Sequence, residues 1–150
     1  MMPGKTSVRV YLAAPLFSEA ETRYNRHLQD LLCQAGFEVY LPQEQGEDAR
    51  HRTERDDRII FERHVKALQE TEIVVAVCDG PDTDSGTAWE MGYAQALGKS
   101  VIAIRTDSRR LDTHHQLNLM LEQSAVVVGS TKELIPAVHH VTSGFRPLPG

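Results

Sequence analysis

Apolar residues follow two different spacings along the chain. Five short runs are almost continuously apolar or β-branched: VRVYLAA (8–14), FEVYLP (37–42), EIVVAVCD (72–79), SVIAIRT (100–106) and SAVVVGS (124–130). Runs of this length and composition predict strands, and EIVVAVCD is the kind buried on both faces of a sheet. Between them, apolar residues recur three or four apart. Ala20, Tyr24, Leu28, Leu31 and Leu32 predict a helix over 18–35, stopped by Gly36. Ile60, Phe61, Val65 and Leu68 predict a second, a third runs over about 87–97 before Gly98, and a last one covers 131–140. The polar stretch QEQGEDARHRTERDD (43–57) reads as an exposed loop or a loose helical start, and DSRRLDTHHQLNLMLEQ (107–123) is the least regular part.

Strands therefore alternate with helices, without internal repeats or a linker. That order predicts an α/β three-layer sandwich of flavodoxin-like (Rossmann-like) type, a five-stranded parallel sheet with right-handed crossovers. For five strands the expected order is 2-1-3-4-5, in one domain over 1–150 with tails at 1–7 and 144–150. Ligands of such sheets bind beyond the carboxyl ends of the strands, where strands 1 and 3 diverge.

Composition narrows the picture modestly. A chain of 150 residues, 41% hydrophobic and 25% charged, has the size and balance of one globular domain. A net charge of −5 argues against binding a nucleic-acid polymer, which calls for a basic face. No apolar run reaches membrane-span length, and the first residues lack the apolar core of a signal peptide. Cys33 and Cys78 lie in apolar helix-like and strand-like contexts, so both are expected to be free, buried thiols in a reducing, cytoplasmic setting.

The chemistry to inspect sits just after strands 1, 3 and 4. Strand 1 delivers Tyr11 and then a loop carrying Phe17; strand 3 delivers Asp79 and a loop with Asp82 and Asp84. The helix that follows, DSGTAWEMGYAQALGK (84–99), places Gly86 and Thr87 between Asp84 and Glu90. A helix start can hold phosphate, but three acids and no Lys or Arg in this loop would repel it. Neither GxGxxG nor a P-loop is present. Two carboxylates at a sugar-sized pocket suit glycosidic-bond chemistry, one at the anomeric carbon and the other managing the leaving group. The plainer reading is that Asp84 caps the helix and Glu90 is solvated. Trp89 and Met91 beside Glu90 favour the first reading, because apolar neighbours desolvate a carboxylate. The histidines at 114–115 and 139–140 show no metal-ligand spacing and read as surface residues; no metal or organic cofactor is expected.

VYLAAPLF, DSGTAWEMGYAQALGK and LNLML, in this order over about 8–128, together resemble the nucleoside 2-deoxyribosyltransferase family. The resemblance implies transfer of 2-deoxyribose between nucleobases, with a nucleoside and a free base as the small-molecule partners. It assigns Glu90 as nucleophile, Asp84 to the base and its proton, and Tyr11 to orienting the glutamate. It also implies that Asn118, with Met120 beside it, is lent by a neighbouring subunit, hence a homo-oligomer no smaller than a dimer. Phe17 and Trp89 are then candidates to flank the base, against plain core packing. Gln45 is a candidate to read the base edge, and Asp79 and Gly86 are candidates to line the substrate pocket.

One position departs from the family pattern. Where relatives often carry an acid or amide near the sugar, this chain has His64, which can also hydrogen-bond a hydroxyl and changes charge near neutral pH. Relatives acting on monophosphates carry a polar Gly/Ser/Arg-rich loop after strand 1. Here AAPLFSEAETR is more apolar and acidic, which favours nucleosides, though Ser18 and Arg23 leave room for a phosphate. Two other readings stand beside transfer: hydrolysis of the N-glycosidic bond of nucleosides or their monophosphates by the same residues, and a non-catalytic domain that binds a nucleotide-like ligand.

Overall fold

The computed structural model of the chain describes residues 7–45 and 53–143. The expected tails, apart from residue 7, and part of the polar stretch after strand 2 lie outside the described residues. The strands are β1 (Arg9–Ala13), β2 (Glu38–Tyr40), β3 (Ile73–Val77), β4 (Ser100–Ile104) and β5 (Val126–Val128). They form one five-stranded sheet in the order β2-β1-β3-β4-β5, every pair parallel. This is the expected 2-1-3-4-5 arrangement.

Helices α1 (Glu19–Gln34), α2 (Glu54–Glu70), α3 (Ser85–Ala96), α4 (Leu119–Ser124) and α5 (Thr131–Thr142) complete the chain, with a 3-10 turn at Pro42–Gln45. Alternate residues of β1 serve opposite layers. Val10 and Leu12 pack with Leu28 and Leu32 of α1 and Leu134 and Val138 of α5. Tyr11 and Ala13 point the other way, into a core with Leu68 of α2 and Met91 and Ala94 of α3. Each large aliphatic side chain so buried contributes roughly 1.5–3 kcal/mol. The sequence of β3, IVVAV, is buried throughout because both layers press on it.

Local chemistry sets the boundaries. Ser18 and Glu21 form a capping box at the start of α1, and Thr53 with Asp56 does the same for α2. The second cap explains why α2 begins inside the polar stretch. One expectation needs correction. Cys33 is exposed, since it lies between the inward turn of Leu32 and the helix end; Cys78 is buried. The irregular segment before β5 contains the short helix α4, whose N-cap is Asn118.

Candidate functional site

Tyr11, the middle residue of β1, ends up wholly buried on the α2–α3 side of the sheet. Its hydroxyl donates to Oε2 of Glu90 on α3. Burial in this apolar layer pushes the Glu90 carboxyl up to about 7, against the opposing effect of the Tyr11 hydrogen bond and with a further push from the Asp84 charge. The Tyr11 phenol is driven well above its ordinary range, chiefly by burial and then by the Glu90 charge. It remains a donor throughout the working pH range. A poorly solvated carboxylate held by one neutral donor combines nucleophilicity with a fixed direction.

Asp84 is the N-cap of α3: its Oδ2 accepts from the Thr87 backbone N–H at 3.0 Å and from the Thr87 hydroxyl at 3.2 Å. Thr87 is fully buried, so this cap is firm. Among the described residues Oδ1 of Asp84 accepts no hydrogen bond, which leaves it open for a ligand. Gly86 is the residue the cap allows: a Cβ there would sit 3.3 Å from Asp84 Oδ2. The capping role and the acidic pair near Glu90 therefore coexist.

The loop bearing Asp84 is braced from β4. Arg105, almost wholly buried, donates to the carbonyls of Cys78 at 2.6 Å, Gly80 at 2.9 Å and Arg109 at 2.7 Å. Asp79 answers in the other direction, accepting from the backbone N–H and hydroxyl of Thr106 and from the Asp107 N–H. Its carboxylate thus joins the ends of β3 and β4, a role the sequence did not suggest for this candidate substrate contact. Gly80, at φ +109°, makes the turn that this brace requires. Arg105 carried no sequence signal beyond its place at a strand end.

Tyr40, at the end of β2, is the register partner of Tyr11. The two rings stack with centroids 5.2 Å apart and planes at 17°. The Tyr40 hydroxyl and His64 Nδ1 are 2.9 Å apart, and the His64 ring stands edge-on to both tyrosines. Burial and then the neighbouring Arg63 charge lower the His64 pKa, which favours the neutral imidazole. His64 is therefore partly buried beside the Tyr11–Glu90 pair rather than a plain surface residue. Gln45 lies in the turn after β2, where its carbonyl accepts from Arg63 Nη1 at 3.1 Å; nothing among the described residues joins it to Glu90.

The remaining candidates are at the surface. Phe17 is 78% exposed and Trp89 48% exposed, so neither is a core residue. Trp89 stacks on Tyr93 at 5.2 Å and meets the edge of Phe61 at 5.6 Å, forming an aromatic strip across α2 and α3. Asn118 accepts from the Met120 N–H, and Met120 is 71% exposed. On the other side of the sheet a cleft of about 410 Å³ lies over the ends of β1 and β3, lined by Pro15, Ser18, Asn25, Asp79, Gly80 and Arg109 among others. Tyr11 and Glu90 do not line it; they belong to the opposite layer.

Comparison with known proteins supplies the context for this pair. A curated relative, an uncharacterized protein of Ureaplasma parvum serovar 3, is 29% identical over 102 residues, 63% of each chain. The chain thus spans under two thirds of that relative's length. A conserved protein from Enterococcus faecalis V583 is 29% identical, with a TM-score of 0.78 over 91% of this chain and 99% of its own. The fold is also shared with a 2-deoxyribosyltransferase from Bacillus psychrosaccharolyticus, 22% identical with a TM-score of 0.74 over 85% and 90% of the two chains. A CMP N-glycosidase from Clostridium botulinum is 21% identical, with a TM-score of 0.53 over 87% and 98%. Residues 10–128 match the family described as nucleoside 2-deoxyribosyltransferase. That span takes in the Tyr11 strand, the Asp84–Glu90 segment and Asn118 together, and the chain belongs to the nucleoside 2-deoxyribosyltransferase family.

Proposed function

We propose that the protein transfers a 2-deoxyribosyl group between nucleobases, with Glu90 as the nucleophile. The observation that carries this reading is the half-buried Glu90 carboxylate, held by the buried Tyr11 hydroxyl on the α2–α3 side of the sheet. An ionised Glu90 oxygen attacks the anomeric carbon, and the bond to the base nitrogen breaks with its electron pair leaving on the base. The base takes a proton, delivered through Asp84 or a water beside its open Oδ1. The result is a glycosyl ester on Glu90. A second base attacks the same carbon through its nitrogen and gives up a proton. The bond from that carbon to the Glu90 oxygen breaks as the new one forms, Glu90 returns as carboxylate, and two displacements retain the starting configuration.

Tyr11 accompanies the charge on Glu90 through both steps. It stabilises the carboxylate as attacker and as leaving group by a charge-assisted hydrogen bond. The exposure of Asn118 and Met120 on α4 supports the further reading that a second copy of the chain lends them to the sugar pocket, so that the working unit is at least a dimer. Phe17, exposed in the loop after β1, is available to cover a base.

A second reading uses the same residues with water as the acceptor, which makes the protein an N-glycoside hydrolase. The fold shared with the Clostridium botulinum CMP N-glycosidase favours keeping it. Incubation with a deoxynucleoside and a different free base, followed by chromatography, separates the two. A new deoxynucleoside supports transfer; free deoxyribose without exchange supports hydrolysis. Absence of turnover with every deoxynucleoside and monophosphate, from folded protein, refutes both.

A further inference from the structure

We infer that Tyr40 is a positioning residue for Glu90: anchored by His64, its ring holds the Tyr11 ring in the orientation that delivers the Tyr11 hydroxyl to the carboxylate. The inference rests on the nucleophilic role proposed for Glu90.

A tyrosine ring has two side-chain torsions, and burial alone does not decide which way its hydroxyl points. For Tyr11 the choice is made by neighbours. Tyr40 is its partner across the β1–β2 register and covers one ring face in a near-parallel stack at 5.2 Å. β2 has only three residues and lies at the sheet edge, so its backbone gives Tyr40 little support. Support comes from the side chain instead. The Tyr40 hydroxyl is tied to His64 Nδ1 at 2.9 Å, and His64 stands edge-on to Tyr40 at 5.9 Å and to Tyr11 at 6.5 Å. Three rings from β1, β2 and α2 thus form a corner around the hydroxyl that serves Glu90. An aliphatic side chain in place of Tyr40 can fill the volume but offers neither the flat face nor the reach to His64.

The electrostatic setting has few members. Glu90 is faced by Tyr11 from β1, Asp84 from the cap of α3 and Tyr40 from β2, while Arg63 and His64 of α2 act on the Tyr40 end. Tyr40 itself feels the Glu90 charge, opposed by Arg63, so the stack and the carboxylate belong to one unit.

The test follows Glu90 directly, by ¹³C NMR titration of protein labelled at its glutamate carboxyls, alongside the pH profile of kcat/KM for base exchange. Tyr40→Leu is expected to raise the Glu90 midpoint by roughly half a unit to one unit, the equivalent of a lost aromatic pair. It is also expected to lower kcat/KM at pH 7 roughly two- to fivefold, a deficit that closes as pH rises. Tyr40→Phe keeps the flat face and loses only the hydroxyl tie to His64, so its midpoint is expected to lie between those of the wild type and Tyr40→Leu. A wild-type midpoint in Tyr40→Leu, or an equal shift in Tyr40→Phe, overturns the inference. If Tyr40→Leu does not fold, His64→Leu carries the same test, because it removes the anchor: a raised midpoint supports the inference and an unchanged one overturns it. The NMR arm needs no turnover. A wild-type protein that turns over no substrate would sink the proposed function, while the midpoints would still decide whether Tyr40 positions Tyr11 on Glu90.

Discussion

Tyr11 donates its hydroxyl to Glu90 across 79 residues of sequence, and it is the hydrogen bond that the carboxylate receives from the first strand. A hydrogen bond to a charged group is worth roughly 1.5–3 kcal/mol. Tyr11→Phe leaves the ring packed and removes only the donor. Exchange should fall roughly 10- to 100-fold in kcat/KM, and the Glu90 midpoint should rise, because the bond stabilises the charged form. A loss below twofold would remove Tyr11 from the mechanism.

The pH profile follows from the same carboxylate. Attack requires ionised Glu90, whose pKa is raised to about 7 by burial. The kcat/KM for exchange should therefore climb with pH through about 7 and level off above it. The His64 pKa is lowered by burial and by the Arg63 charge, so any limb from this group lies on the acid side of its ordinary range. Initial-rate measurements across this range at constant ionic strength check it; a flat profile contradicts the assignment.

Function should cost stability at this position. Glu90 titrates at about 7 when folded and near 4.5 when unfolded, so between these values the folded state binds more protons. Stability contributed by the group then falls as pH rises, and above about 7 the full cost applies. Glu90→Gln removes it, and urea unfolding at pH 8 should show a gain of up to about 3 kcal/mol. At pH 5, where the folded carboxyl is protonated, most of that gain should vanish.

Asp84 combines a cap and a charge, and Asp84→Asn separates them. Asparagine caps a helix about as well as aspartate, so thermal stability should change by no more than roughly 0.5 kcal/mol. Exchange should drop, since an amide cannot pass a proton to the base. The acid limb of whatever activity remains should move to lower pH, because the Asp84 charge is one of the causes that raise Glu90.

Much of this arrangement was legible in the chain. Continuous apolar runs such as IVVAV can only be buried on both faces, and their alternation with helical spacing leads to the parallel sheet. Once strands 1 and 3 are neighbours, Tyr11 and the α3 start share an edge. What stayed hidden depends on partners distant in sequence. Asp79 looks like a free acid until the end of β4 brings Thr106 and Asp107 to it. Tyr40 reads as a strand residue until register sets it against Tyr11. The helix α4 is too short to show a period, and only its Asn118 cap marks where it begins. Trp89 sits beside Glu90 in sequence, yet its ring turns to Tyr93 and Phe61 at the surface, because neighbours on a helix point about 100° apart.

Covalent capture tests the central claim most directly. Protein mixed with a deoxynucleoside in the absence of an acceptor base, quenched in acid and digested, should yield a peptide containing Glu90 that carries one additional 2-deoxyribosyl group by mass spectrometry. Glu90→Gln should yield none. An adduct on another residue, or steady turnover with Glu90→Gln at the wild-type rate, would contradict Glu90 as the nucleophile.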